Sequence, residues 1–284
     1  MIYIPIIGAI ALAGAAVFEK IVLRKRKLDI KLYQTASFLS IALLMIPLLF
    51  FFWKLDSQAL EIKNIIIFFL VVIFSIIANL LVYYSMKWEK VTNIEPAKMF
   101  EPLFVIFLAV IFSFLISEEL FERNMKFIIP ALIAGGALIF SHIKKHHLDF
   151  NKYFLAAVAG SFFFALELIL SKLILEFYSP ITFYFLRCSM IFFISLAVFR
   201  PDFKKLNSKI KKEIFLIGIV WVVYRIVLYY GYLKYGVITT TLIFMLGPVF
   251  LYLLAWKFLN EKIQWRNIVA TIIIIGSVLY ATLA

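Results

Sequence analysis

The sequence predicts an all-α integral membrane protein, with ten transmembrane helices arranged as two inverted five-helix repeats around a central cavity. The first observation behind this prediction is composition: 65% of the 284 residues are hydrophobic and only 16% are charged. The mean hydropathy is +1.03. A soluble domain of this length cannot hide so much apolar surface from water. The other two observations are a series of long apolar segments and an internal similarity between the two halves.

The apolar segments have the length of membrane spans. A helix needs about 20 mostly apolar residues to cross roughly 30 Å of hydrocarbon. Ten segments meet this requirement: roughly 2–23, 32–53, 64–86, 92–116, 125–142, 152–175, 180–199, 213–233, 237–258 and 265–284. The first is followed by Arg24–Lys27, the reverse of the charge order in a cleaved signal peptide, so we interpret it as a span. Internal prolines interrupt the fourth and ninth segments.

Lysine and arginine cluster between the spans, which explains the net charge of +13 without a nucleic-acid partner. Most of them follow odd-numbered spans: Arg24, Lys25, Arg26, Lys27, Lys31, Lys87, Lys90, Lys144, Lys145, Arg200, Lys204, Lys205, Lys209, Lys211, Lys212 and Lys262. By the positive-inside rule these loops are cytoplasmic. The expected location is the cytoplasmic (inner) membrane, with both termini outside.

The two halves, 1–146 and 147–284, resemble each other in sequence. The matching positions are Glu19 with Glu167, Tyr83-Tyr84 with Tyr229-Tyr230, and Glu101-Pro102 with Gly247-Pro248. Five is an odd number of spans, so the second half must enter the bilayer from the opposite face. Inverted repeats of this kind typically enclose a site near the midplane and move around it to give alternating access.

This arrangement resembles the EamA branch of the drug/metabolite transporter (DMT) superfamily. The resemblance rests on the proline-containing fourth span of each repeat, the Glu-containing turn that follows it, Gly276 in the last span, and Ser179-Pro180 followed by Arg187. It covers nearly the whole chain and implies transport of small metabolites. Glu19 and Glu167 are not typical of the branch.

Glu19 and Glu167 are the first candidates for a substrate-binding or coupling site, because the internal alignment superposes them. Ionisable groups within the membrane are energetically unfavourable and usually face a cavity or a partner. Desolvation favours the protonated form of a carboxyl group, so alternating exposure would allow proton exchange. The first-span glutamate of small multidrug resistance transporters, whose architecture resembles half of this one, has a similar role. Pairing with a neighbouring lysine, as between Glu19 and Lys20, is the alternative.

Arg187 and Arg225 lie well inside the seventh and eighth spans. Arginine keeps its charge and forms bidentate contacts with carboxylates and phosphates. Each could therefore bind an anionic group of a substrate. Each could equally form a structural pair with Glu167.

The fourth span carries Glu95, Lys98 and Glu101 at a spacing of three, which places them on one helical face. They form either a cavity wall or a salt-bridged turn near the interface. Four other residues with polar tips could line the same cavity, or belong to the core and the interfacial aromatic belt: Asn79, Tyr84, Tyr224 and Tyr230.

These features predict a secondary transporter of small organic metabolites, such as amino acids or related carboxylates, working by alternating access in the lipid bilayer. The intramembrane glutamates and many aromatics leave a proton-coupled exporter of cationic drugs as an alternative. Cys188 is the single cysteine, and the histidines, His142, His146 and His147, lie only at or beyond the end of the fifth span, which argues against a membrane-embedded enzyme. Polar residues within the spans argue against a non-transporting scaffold. We expect no metal or other cofactor, with protons as the candidate coupling ion.

Overall fold

The computed structural model describes residues 3–25, 28–88, 97–116, 121, 124–142, 151–250 and 265–283, and these are almost entirely helical. The helices, in chain order, are α1 (Tyr3–Lys25), α2 (Ile30–Phe52), α3 (Ile62–Trp88), α4 (Phe100–Leu115), α5 (Met125–His142), α6 (Lys152–Ile174), α7 (Pro180–Phe199), α8 (Ser208–Lys234), α9 (Val237–Phe244) and α10 (Trp265–Leu283). The predicted all-α class is confirmed. The predicted boundary between the halves, at 146 and 147, lies outside the described residues.

The helices have the composition of membrane spans. Five of them, α2, α3, α6, α7 and α8, are long and apolar enough to cross a bilayer. Shorter apolar helical segments occupy Pro5–Ala15, Phe100–Leu115, Met125–Phe140, Val237–Phe250 and Ile268–Ala281. The protein is therefore a multi-pass membrane protein, as the hydropathy predicts.

Side-chain caps fix where several helices begin. Asp29 accepts hydrogen bonds from the backbone N–H groups at the start of α2, and Asn151 does the same for α6. Ser179 caps α7, whose first residue is Pro180, and Asn207 caps α8. Polar caps satisfy first-turn N–H groups that lack partners within the helix, and proline suits the first position because it has no N–H.

The segment predicted as the fourth span of each half is broken shortly before a proline, as the sequence predicts. Residues 97 and 98 are helical, a turn follows at Met99, and α4 begins at Phe100. Pro102 therefore lies in the first helical turn, where a missing N–H is tolerated. In the second half α9 ends at Phe244, and the chain is helical again over 247–250, which include Pro248. Pro96 lies outside the described residues.

Helices of one half pack against helices of the other half. For each such contact, the equivalent helices of the two halves make a corresponding contact. Helix α1 packs on α8, and correspondingly α6 packs on α3. In the same way α4 packs on α6 and α9 on α1, while α3 contacts α7 and α8 contacts α2. Helices α2 and α7, and also α5 and α10, pack against their own counterparts. The interior is therefore built jointly by both halves.

Helices α2 and α7 run antiparallel. The Lys31 Nζ, at the start of α2, lies 5.5 Å from the ring centroid of Phe199 at the end of α7. At the other end the Ser179 hydroxyl, preceding α7, donates to the carbonyl oxygen of Phe52 at the end of α2, at 2.6 Å. We call the end with the α1–α2 and α7–α8 loops the basic end, because it carries Lys31, Arg200, Lys204, Lys205, Lys209, Lys211 and Lys212.

Helices α5 and α10 also run antiparallel. Phe140, near the end of α5, lies 6.2 Å from Trp265 at the start of α10, measured between ring centroids. Met125, at the start of α5, lines a groove together with Tyr280 near the end of α10. Equivalent helices of the two halves thus point in opposite directions in both self-paired contacts.

Close packing of α6 on α3 depends on Gly160, which yields a testable prediction. A Cβ atom at Gly160 would lie 2.7 Å from Val82 Cγ2 and 3.2 Å from the backbone oxygen of Ala78. We expect Gly160→Ala to lower the free energy of unfolding by about 1–3 kcal/mol, as overpacking typically does. A matched control is Gly136→Ala in α5, where a Cβ would meet nothing within 4 Å. Thermal unfolding in detergent should show a lower midpoint for the first variant only; equal midpoints would contradict the packing argument.

Candidate functional site

A cavity of about 130 Å³ lies in the interior, bordered by residues of both halves. Much of its wall is apolar, with Leu12, Phe164 and Phe244 among the contributors. Six of the residues singled out from the sequence line it: Glu19, Asn79, Lys98, Glu101, Tyr224 and Arg225. The cavity therefore brings carboxylates and cations together inside an otherwise apolar bundle.

Glu19 is held by three neutral donors. Its Oε1 accepts hydrogen bonds from Trp221 Nε1 at 2.8 Å, from the Tyr33 hydroxyl at 3.4 Å and from the Tyr83 hydroxyl at 3.5 Å. The residue is only 4% exposed. Within the described part of the chain, the ion pairs do not include Glu19. The Lys20 side chain, its suggested partner, lies outside what the structure describes. Glu19 is thus a buried, cavity-lining carboxylate whose contacts among the described residues are uncharged.

Glu167 has a different environment, because two arginines bind it. Arg187 Nη1 lies 2.6 Å from Oε1 and Arg225 Nη1 lies 3.2 Å from Oε2. The Tyr229 hydroxyl donates to Oε1 at 3.0 Å, and Arg187 Nη1 also donates to that hydroxyl. Glu167 is fully buried, and the exposed fractions of Arg187 and Arg225 are 2% and 3%. Both arginines therefore form the ion pair with Glu167 that the sequence suggested, and their role in binding a substrate stays a prediction.

The two glutamates occupy equivalent places with unequal partners. Tyr83 donates to Glu19 and Tyr229 donates to Glu167, so the aligned tyrosines make the same contact in each half. Glu19 lies in the last two turns of α1, toward the basic end, and Glu167 lies in the last two turns of α6, toward the opposite end. The backbone arrangement is therefore repeated, whereas the charge arrangement is not.

Arg225 connects the Glu167 cluster with the cavity. One of its Nη atoms pairs with Glu167, while the residue also lines the cavity. Its guanidinium carbon lies 5.7 Å from the Phe164 ring centroid, 6.0 Å from Trp221 and 5.5 Å from Tyr224. Aromatic faces attract a guanidinium group. These contacts position the Arg225 charge at the cavity wall.

Glu101 and Asn79 present polar atoms to the cavity from the first half. Among the described residues, no side chain or backbone group forms a hydrogen bond or ion pair with the Glu101 carboxylate, which is half-buried. Asn79 Nδ2 donates to the Ser75 carbonyl oxygen at 2.7 Å. Lys98 lies at the helix break before α4 and lines the same space. Glu95, on the same predicted face, lies outside the described residues.

Two of the proposed tyrosines lie elsewhere. The Tyr84 ring packs 5.3 Å from that of Tyr153, between centroids, and the Tyr230 hydroxyl accepts a hydrogen bond from Lys234 Nζ at 3.3 Å. The sequence proposal that these side chains line the cavity is thus not supported by their positions. Their neighbours Tyr83 and Tyr229 make the contacts with the glutamates, because consecutive residues on a helix point about 100° apart.

Three further contacts of the site were also not foreseen from the sequence. They come from Tyr33 and Trp221, which donate to Glu19, and from Ser75, whose hydroxyl accepts a hydrogen bond from Arg187 Nη2 at 3.2 Å. Trp221 and Ser75 each belong to the half opposite to the charged residue that they contact. Such contacts between halves depend on how the helices interlock, and a sequence pattern within one half carries no signal for them.

The comparisons with known proteins agree with this architecture. The model of the EamA-like transporter family matches residues 1–141 and 151–283. Among solved structures 27 chains match. One of them, titled only "Crystal structure of protein", is 14% identical with a TM-score of 0.70, over 99% of this chain and 96% of that chain. At this identity the likeness shows the fold alone. No curated protein matches this chain.

Proposed function

This chain belongs to the EamA-like transporter family of the DMT superfamily, and we propose that it is a secondary transporter of small organic metabolites working by alternating access. In this proposal its ten helices cross the bilayer as two inverted five-helix repeats. The antiparallel pairing of α2 with α7 and of α5 with α10 supports the inversion. The positive-inside rule then assigns the basic end to the cytoplasm and both termini to the outside of the cytoplasmic membrane.

The main observation that supports the proposal is that side chains of both charge signs line one cavity. Glu19 and Glu101 contribute carboxylates, while Lys98 and Arg225 contribute cations. Charges act strongly on a solute in a dry, low-dielectric interior. A small solute with a carboxylate directed at Arg225 and an ammonium group directed at Glu101 would satisfy both signs. We therefore propose amino acids or related carboxylates as the substrate class.

The size of the cavity bears on the alternative of a cationic-drug exporter. Pockets for drug-sized ligands usually measure about 300–1,000 Å³, whereas this cavity measures about 130 Å³. The two cationic side chains on its wall, Lys98 and Arg225, are also partners for an anionic group, which a ligand that carries only positive charge lacks. Both features favour a small metabolite.

The two glutamates have different roles in this proposal. Removing the charge of Glu167 would break its buried ion pairs with Arg187 and Arg225, so we assign Glu167 to the structural support of the site. Among the described residues, Glu19 contacts only neutral hydrogen-bond donors, and the charged groups that share its cavity are Lys98, Glu101 and Arg225. Glu19 can gain or lose a proton without breaking an ion pair. We therefore propose that it couples transport to protons.

Solute flux into proteoliposomes tests the function directly. Purified protein is reconstituted, and uptake of radiolabelled amino acids is compared with that of their amides and of quaternary amines, with and without a pH gradient. We expect saturable uptake of solutes that carry a carboxylate. Uptake restricted to quaternary amines would support the drug exporter instead, and no uptake of any small organic solute would overturn the transporter proposal.

Substitution of Arg225 tests the recognition of the carboxylate. In Arg225→Ala the Glu167 carboxylate keeps its ion pair with Arg187, so folding is expected to persist. We expect the apparent Kd for a carboxylate substrate to rise about tenfold or more, since hydrogen bonds to charged groups contribute about 1.5–3 kcal/mol. The control is Arg266→Ala, because Arg266 contacts Phe140 and Trp265 away from the cavity. Unchanged binding in a monodisperse Arg225→Ala protein would limit Arg225 to its structural pair.

A further inference from the structure

A second concave surface lies outside the cavity, between α5 and α10. This groove measures about 730 Å³ and has mainly apolar walls, with Ile129 and Ile133 on one side and Ile273 on the other. Ile129 and Ile133 are each 53% exposed. Gly276 forms part of its wall, and a Cβ atom at that position would meet nothing within 4 Å. The groove therefore lies on the outer surface of the helix bundle. It is deeper at Gly276 because glycine has no side chain to fill it.

Polar groups gather at one end of this groove. Lys126, in the first turn of α5, lines it together with Ser277 and Tyr280 near the end of α10. Within the described part of the chain, the ion pairs do not include Lys126. Tyr280 is 57% exposed. Lysine near a helix end extends its ammonium group to the membrane interface, where tyrosine is also favoured. The apolar groove thus ends at a positively charged ammonium group, that of Lys126, and at the hydroxyl group of Tyr280.

We infer that this groove binds one anionic phospholipid, with an acyl chain along the isoleucines and the phosphate group at Lys126 and Tyr280. Acyl chains are as apolar as the groove walls, so the walls give little preference among lipids. Selectivity must come from the charge at Lys126. A second copy of this chain is a poorer occupant, because apolar helix packing there would enclose the ammonium group without a counter-charge.

Native mass spectrometry of delipidated protein in mild detergent tests this inference. The probes are phosphatidylglycerol and phosphatidylcholine with identical acyl chains. We expect one phosphatidylglycerol to bind about fivefold more tightly than phosphatidylcholine, the effect of one lysine near an anionic headgroup. Lys126→Gln should remove this preference. Gly276→Leu should weaken the binding of both lipids, because its side chain would occupy the groove. Lys63→Gln, which alters an exposed lysine at the same end of the bundle, is the matched control and should bind like the wild type.

The outcomes separate the possible occupants. Loss of preference in Lys126→Gln with retained preference in Lys63→Gln supports the lipid site. Equal binding of the two lipids by the wild type, or unchanged binding in Gly276→Leu, overturns it. Dimers that persist in added phosphatidylglycerol and disappear in Gly276→Leu would identify a second copy as the occupant and also overturn it. Glycerol phosphate, which lacks acyl chains, should not displace the bound lipid; displacement would indicate a simple anion site.

Discussion

Glu167→Gln should lower the free energy of unfolding by about 3–5 kcal/mol, the usual effect of removing one partner from a buried ion pair. Glu167 is fully buried and its two oxygens pair with Arg187 and Arg225. The amide of glutamine retains the shape of the side chain but removes the carboxylate with which both guanidinium groups pair. The expected measurement is a large fall in the midpoint of thermal unfolding in detergent, with loss of monodisperse protein.

A second substitution distinguishes two causes of the expected loss of stability in Glu167→Gln: a buried charge left without its partner, and the loss of a hydrogen bond. The double variant Glu167→Gln with Arg187→Met removes the arginine that lies closest to the carboxylate, at 2.6 Å. Because apolar replacement of buried ion pairs is often neutral or stabilising, we expect this variant to recover part of the lost stability. Glu101→Gln is the matched control for removing a carboxylate, since Glu101 has no ion-pair partner among the described residues. A Glu167→Gln protein as stable as the wild type would contradict the structural role.

Most of the fold follows from the sequence because the bilayer restricts the options. In hydrocarbon every backbone polar group needs an internal partner, so a long apolar segment is helical. The helix breaks before Pro102 and Pro248 were predictable for a similar local reason, since proline lacks an N–H group and suits the start of a helix. The interlocking of α1 with α8 and of α3 with α6 was not predictable, because it depends on side chains distant in sequence.

The sequence predicted which residues belong to the candidate site better than it predicted which of them contact one another. Charged residues within apolar spans stand out at once, and six of the proposed residues line the cavity. The internal alignment also indicated that Glu19 and Glu167 are equivalent. It could not indicate that two arginines bind Glu167 while Trp221 and two tyrosines surround Glu19. Likewise, a Tyr-Tyr pair marks a helix position but leaves open which of the two rings faces inward.

Glu19→Gln should abolish accumulation driven by a pH gradient while leaving downhill substrate flux in place. The variant cannot release or bind a proton at this position, yet glutamine can still accept the hydrogen bond that Trp221 donates at 2.8 Å. With one proton coupled to each substrate, a gradient of about one pH unit sustains about tenfold accumulation, because 1.4 kcal/mol corresponds to a factor of ten. The measurement is the steady-state ratio of labelled substrate across proteoliposome membranes, which should fall to one in the variant.

Tyr83→Phe is the matched control for this experiment. It removes a long hydrogen bond to Glu19, 3.5 Å between oxygens, but leaves the carboxylate and its Trp221 contact in place. We expect Tyr83→Phe to keep the tenfold accumulation, since coupling requires the titrating group itself and not each of its donors. If Glu19→Gln keeps accumulation equal to that of the wild type, Glu19 is not the coupling group. Glu101, which lines the same cavity, would then be the next carboxylate to replace, because Glu167 already forms ion pairs with two arginines.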